Sequence, residues 1–418
     1  MNPHTIITKA TLEKTVRNVV ETAPVFDIHT HLYDAAFGEL LLWGVDELLT
    51  YHYLVAEVMR AEVIGYDEFW KMPKTQQADL IWQTLFIERT PVSEACRGVV
   101  TCLNQLGFDV KKRDLAAARK ELKRWTPQRY INRALEVSRV ERVVMTNNPF
   151  DPLERPVWIK DFKRDARFAA ALRIDELLMA WDANAPRLRE MGYEVGSDIN
   201  DKTVSEVRRF LDEWTHRMQP LYLAVSLTPN FAFPEDSTRS RLIERCILPH
   251  CREYGIPFAL MIGVSRQVNP ALRLAGDGLV KPSSLDPIVH LCANHPENKF
   301  LVTMLSRENQ HALCVTARKF PNLHIFGCWW FLNDPSLIEE MTRMRLELLG
   351  LSITPQHSDC RVLDQLIYKW DHFRRILTRV LTDKYRDLLN ARWKLTHGEI
   401  ERDVHLLLGG EFERFLAR

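Results

Sequence analysis

The stretch VFDIHTH, residues 25–31, ends an apolar run with two histidines one residue apart. Side chains alternate along a strand, so in extended chain His29 and His31 share one face and Thr30 takes the other. Two imidazoles on one face are either two ligands of a metal ion or a coincidence of packing in a chain with 14 histidines. Far along the chain, QHSDCR places His357, Asp359 and Arg361 at the end of another extended stretch. If the two stretches are neighbours, His29, His31 and Asp359 form a His/His/Asp set suited to zinc or a similar divalent ion. Asp359 alone could equally cap the helix that follows it; it is the conjunction of three that favours a site. His357 shares a face with Asp359 and is read as a loop residue beside the site rather than a further ligand.

Arginines at the ends of apolar runs are costly to bury unless they meet an anion. Arg173, Arg266 and Arg361 occupy such places and could make a local positive pocket for a substrate carboxylate or alkoxide. For Arg173 an ion pair with Asp175 is the alternative. Trp329 and Trp330 point to opposite faces if their strand extends that far, one paving a sugar-sized pocket; both could equally be core. In YHY, residues 51–53, His52 and Tyr53 could reach a site from a helical lid, whereas helix packing explains Tyr51 as well.

The elements that must position these residues are short apolar runs alternating with amphipathic segments. Candidate strands are residues 25–31, 141–147, 168–175, 221–228, 257–263, 299–305, 323–329 and 351–359. Several are apolar on both faces, as parallel strands covered by helices are. Between them DKTVSEVRRFLDEWTHRM (201–218) keeps helical spacing behind a capping signal, and RLIERCILPHCREYG runs to a helix stop at Gly255. An open doubly wound sheet could use these elements, but strand count and alternation point to an α/β fold of the (β/α)8 TIM-barrel type. Residues 32–140 break the rhythm and read as a large helical insertion after strand one, on the active-site face of a single domain spanning 1–418. The tail after residue 360 is also helical. In a barrel, chemistry belongs at the C-terminal ends of the strands, which is where His29, His31, Arg173, Arg266, Asp359 and Arg361 fall.

Composition narrows the partners. With 56 basic and 55 acidic residues the formal net charge is +1, which gives no global attraction for nucleic acid or anionic membrane. No run approaches the length of a membrane span, and the N-terminal segment reads as an amphipathic helix rather than a signal peptide. The eight cysteines are scattered without a CxxC, as in a reduced, cytoplasmic protein. Glycine-rich phosphate loops are missing, so no nucleotide cofactor is expected.

With HTHL after strand one and an aspartate at the end of strand eight, the chain resembles the amidohydrolase superfamily, and more closely the shorter bacterial branch of the uronate (glucuronate) isomerases. The stretches that carry the resemblance are VFDIHTHL, ELLTYHYLVAEVMR, PVSEACRGV, VVMTNNPFDPLER, ALRID, MLSRENQHAL, IFGCWWFLNDP, EMTRMRLELLG and PQHSDCRVLDQLIYKW, which span nearly the whole length. The resemblance implies reversible interconversion of D-glucuronate with D-fructuronate and of D-galacturonate with D-tagaturonate, by a homo-oligomer acting on a small hexuronate. It implies that His29, His31 and Asp359 are the metal-site residues and that Asp359 is also the base moving the C2 proton to C1. By the same resemblance Tyr53 and Arg361 handle the hydroxyl and carbonyl oxygens, Arg173, His52 and Arg266 bind the sugar acid, and Trp330 is the site tryptophan of the WW motif. One departure stands out: where many members carry a histidine on strand five, ALMIGVSR has Met261, so weaker or non-essential metal binding is expected.

The residue types fit that chemistry independently. Aldose–ketose isomerisation through an enediol needs one base that delivers a proton to the neighbouring carbon, and a polariser for the carbonyl oxygen. Two other readings fit the same residues: a single-metal hydrolase of the same superfamily acting on a lactone or amide, and a non-catalytic sugar-acid binding barrel.

Overall fold

The computed structural model describes residues 2–160 and 162–418. Seven parallel strands form one curled sheet with neighbours in chain order. They are β1 (Val25–Thr30), β2 (Val140–Asn147), β3 (Phe168–Arg173), β4 (Leu223–Leu227), β5 (Phe258–Ile262), β6 (Phe300–Met304) and β7 (Leu323–Ile325). Every residue of β4, β5 and β6 is buried, which is why these strands read as apolar runs interrupted only by Ser226 and Thr303. The concave side holds an inner cluster that includes Phe26, Ile28, Val144, Ala224, Met261, Leu301 and Phe326. Phe412 and Phe415, from the C-terminal helix Glu411–Ala417, complete that cluster. Phe412 packs on Phe26 and Tyr222 at the starts of β1 and β4, so this helix closes the mouth opposite the strand C-termini.

The expected eighth strand is not one. Residues 351–359 form no strand, and Thr354 makes a single isolated bridge to Phe326. Pro355 has no N–H to give a ladder, and Asp359 holds a positive φ of 55°, which no strand residue adopts. The segment nonetheless runs between β7 and β1. The Thr354 N–H donates to Ile325 O at 3.2 Å on one side; on the other, the Asp359 N–H donates to His29 O at 3.2 Å and the His31 N–H to Cys360 O at 2.7 Å. Strand seven also stops early, at Ile325, and Trp330 opens a short 3-10 turn instead of extending it. The alternation argument for Trp329 and Trp330 therefore does not apply: Trp329 is buried in the inner cluster and Trp330 is only partly buried.

Helices fill the interval between β1 and β2, among them His52–Met59, Lys74–Trp82, Glu94–Gln105 and Pro127–Ser138. Their starts follow local chemistry: Ser93 accepts from the Cys96 N–H at 3.2 Å, and Thr126 accepts from the Arg129 N–H ahead of a first-turn Pro127. The 201–218 helix forms as its spacing predicts, capped by Asn200, and Gly255 ends its helix at φ 65°. The tail after residue 360 holds the helix Gln365–Asn390. All eight cysteines are free and buried, and among the described residues no helix is long and apolar enough to cross a membrane.

Candidate active site

β1 ends with the rings of His29 and His31 converging, their centroids 5.4 Å apart, although its pairing with β2 is irregular at two points. Asp359 Oδ1 lies 3.6 Å from His29 Nε2 and 3.4 Å from His31 Nε2. These are the three residues, among those described, whose donor atoms gather within 4.8 Å of one another as a metal ion requires. His29 Nε2 and Asp359 Oδ1 are buried and have no hydrogen-bond partner. Two orphaned acceptors facing each other are unfavourable unless a cation or a proton stands between them. Burial, reinforced for His29 by the neighbouring His357, holds both imidazoles below the ordinary histidine range. Burial also works to raise the Asp359 carboxyl, but His31, His29 and His357, when protonated, outweigh it and hold it well below the usual carboxylate range. Two neutral imidazoles and a carboxylate are the protonation states that a divalent ion such as zinc takes as ligands. Asp359 Oδ2 accepts from the Trp330 N–H at 3.2 Å.

His357 is fully buried and its ring centroid is 5.0 Å from that of His29, but it stands outside the three-residue cluster. Its fit is tight: a Cβ on Gly327, which sits at φ +65°, would fall 2.0 Å from His357 Nδ1. Burial pushes His357 down to about 4.

Arg361 leans on Tyr33, its guanidinium carbon 5.3 Å from the ring centroid and Nη1 3.4 Å from the hydroxyl. The Tyr33 hydroxyl donates to Glu154 Oε1 at 2.7 Å, and Glu154 Oε2 accepts from Asn147 Nδ2 and the Asn148 N–H. Burial raises the Glu154 carboxyl. Sequence reasoning missed both: Glu154 stands inside VVMTNNPFDPLER, and Tyr33 directly follows VFDIHTHL.

Arg173 makes the ion pair weighed for it, donating through Nε and Nη2 to Asp175 at 3.2 and 3.1 Å. Both residues line a cavity of about 590 Å³ at the ends of β3, β4 and β5, which Arg266 and Lys281 also enter. Arg266 is half-exposed and 3.6 Å from Asp277, just beyond a two-residue antiparallel ladder (Val264–Ser265 with Leu279–Val280) that sequence reading did not foresee. His52 sits between Tyr51 and Tyr53, 4.2 Å from each ring centroid and 6.2 Å from Trp330, with neither ring nitrogen partnered. Lys369, also missed, lies 5.7 Å from the Tyr53 ring centroid and is held by Glu94 and Asn333 O. The fields of Tyr51, His52 and Tyr53 all register the charge of Asp359, so this helix start belongs to the same neighbourhood.

No family model and no curated protein matches the chain. Among solved structures, a uronate isomerase from Bacillus halodurans superposes with a TM-score of 0.97 at 54% sequence identity, covering 99% of this chain and 98% of that one. This chain belongs to the uronate isomerase family. A uronate isomerase from Thermotoga maritima (TM-score 0.78, 16% identity, 99% and 100% covered) shares the fold. So does a glucuronate isomerase from Caulobacter crescentus (TM-score 0.76, 15% identity, 98% and 94% covered). On the Asp359 carboxylate itself the structure brings together His29, His31 and the Trp330 N–H, while Arg173 and Arg266 line the cavity at the ends of β3, β4 and β5.

Proposed function

We propose that this protein interconverts the aldose and ketose forms of a hexuronate, D-glucuronate with D-fructuronate and D-galacturonate with D-tagaturonate. The reading rests above all on the 54% identity over 99% of the chain. In this reading residues 351–360 serve as the eighth stave of a (β/α)8 barrel, and the helices of residues 32–140 cover its active-site face.

Asp359 is the base. Its carboxyl is ionised at neutral pH, Oδ1 faces the imidazoles, and Oδ2 takes the proton from C2 and returns it to C1 of the enediol. Arg361 and Tyr53 hydrogen-bond to the C1 and C2 oxygens, and the proton that the C2 hydroxyl gives up as it becomes the carbonyl passes to the C1 oxygen as that becomes a hydroxyl. Burial keeps the Tyr53 hydroxyl protonated, so it acts as a donor. Arg173, Arg266 and His52 bind the sugar acid and Trp330 walls its pocket. His29, His31 and Asp359 would hold a divalent ion, with zinc the best match to two imidazoles and a carboxylate. When bound, such an ion would stabilise negative charge on the carbonyl oxygen. Met261 contributes no ligand, so the ion is held by three residues rather than more.

A coupled assay with each hexuronate, with and without a chelator, tests this reading. Ketose formation from either sugar acid supports it. Turnover of lactones or amides without uronate conversion would replace it with the hydrolase reading, and uronate binding without turnover with the binding-barrel reading.

A further inference from the structure

Each site histidine carries its other ring nitrogen against a hydroxyl, and the two arrangements repeat one another. His29 Nδ1 lies 3.1 Å from the Tyr222 oxygen, and the Tyr222 hydroxyl donates to Ile28 O at 2.8 Å. His31 Nδ1 lies 2.9 Å from Thr146 Oγ1, and the Thr146 hydroxyl donates to Thr30 O at 2.7 Å. In both cases the acceptor is the carbonyl of the residue just before the histidine. The hydroxyls come from different places, Tyr222 just before β4 and Thr146 near the end of β2, so the repeat is not a by-product of one strand's register.

A hydroxyl has one proton. With that proton directed at a strand carbonyl, the oxygen can only accept from the ring, which fixes the proton of each imidazole on Nδ1. The Nε2 lone pairs of both rings are then directed at Asp359 Oδ1. The preference is not trivial, because free neutral histidine in water favours the opposite tautomer, whose Nε2 proton would stand where a cation belongs. Tyr222 is fully buried and Thr146 nearly so, and water has no ready access to replace either hydroxyl.

We infer that Tyr222 and Thr146 are positioning residues that hold His29 and His31 as Nδ1–H tautomers, so that the site is set to accept a divalent cation before one arrives. The cation part of this inference rests on the metal site proposed above; the tautomer part does not. Both hydroxyls are buried against the Nδ1 side of the rings, so their consequence for the reaction runs through the histidines.

The test uses full-length, metal-free protein with 15N-labelled histidine, in wild type, Thr146→Val, Thr146→Ser and Tyr222→Phe. Ring-nitrogen chemical shifts distinguish the two tautomers, and the His29 and His31 signals are identified by their loss in His29→Gln and His31→Gln. Zinc affinity is measured in parallel by competition with a chromophoric chelator. The expected result is an Nδ1–H pattern for both histidines in wild type. Thr146→Val moves His31 toward Nε2–H and Tyr222→Phe moves His29, each weakening zinc binding by roughly 10- to 100-fold, while Thr146→Ser retains both properties. Unchanged tautomers in Thr146→Val and Tyr222→Phe overturn the inference, even if those variants melt at lower temperature. Wild type that binds no zinc would overturn the proposed metal site instead, and the tautomer pattern would still decide the role of the two hydroxyls.

Discussion

Trp330 and Asp359 are joined by a hydrogen bond between two residues that both hold left-handed backbone. The Trp330 N–H donates to Asp359 Oδ2 at 3.2 Å, with φ of 47° at Trp330 and 55° at Asp359. Such conformations in bulky residues cost about 1–3 kcal/mol each and persist where the surroundings impose them. Here they turn the carboxylate so that one oxygen meets the amide and the other meets the histidines. Because the contact uses the backbone of Trp330, its side chain can be changed without disturbing Asp359. Trp330→Phe is expected to raise KM for a hexuronate by roughly tenfold while kcat changes little, as loss of a pocket wall should. Steady-state kinetics separate the two parameters; an equal fall in kcat would place the indole in the chemical step.

Arg361 depends on a chain that ends in a buried carboxyl. Tyr33→Phe removes the hydroxyl between Arg361 and Glu154 and leaves Glu154 Oε1 without its donor. The expected loss is about tenfold in kcat/KM. Arg361→Lys keeps the charge but not the planar fork, and a loss of about 100-fold is expected. Wild-type kcat/KM in both variants would detach this chain from the reaction.

Acid should weaken the fold through buried histidines. Burial holds His52 and His372 down to about 4 and His324 to about 3, against 6.5 for an exposed imidazole. Below pH 6.5 the unfolded chain takes up protons that the folded one refuses, so stability is complete above about 6.5 and falls as pH drops toward 4. His52→Gln removes one such group and should flatten the decline by up to about 3 kcal/mol over that window. Urea unfolding at pH 7, 6, 5 and 4.5 measures the slope; identical slopes in wild type and His52→Gln would contradict the assignment.

Gly327 holds the floor under His357. Alanine there would need φ +65° and would press its Cβ against the imidazole at 2.0 Å from Nδ1. Gly327→Ala is expected to destabilise the protein by at least about 2 kcal/mol, seen as a lower melting temperature. An unchanged melting temperature would mean that this turn yields easily.

Much of this was readable because buried parallel strands write themselves as apolar runs, and β1 to β6 lie within a few residues of the runs that announced them. HTH and HSD also stand at the chain positions that the fold brings together, so the metal-capable set was legible as residue types. The eighth strand misled because LSIT opens like a strand, with Leu351 and Ile353 alternating with hydroxyl residues, while its path is set by Pro355 and by the torsion of Asp359, which follows from contacts on both sides. Tyr33, Glu154, Thr146 and Tyr222 left no local signal. Their roles come from bonds spanning 121, 115 and 193 positions of chain, and a lone hydroxyl or carboxyl does not disclose a partner so far away. Arg173 shows the reverse: its partner, Asp175, is only two residues off, so the pair is legible in the sequence.

The proposed reaction turns on Asp359 carrying a proton between C2 and C1 of a hexuronate. Proton NMR of D-glucuronate and of D-galacturonate incubated with wild type and with Asp359→Asn tests it most directly, with circular dichroism showing that the variant is folded. The expected result is growth of the ketose signals with wild type and a rate at least about 1,000-fold lower with Asp359→Asn. Conversion by Asp359→Asn at the wild-type rate, or no conversion of either sugar acid by wild type, would contradict it.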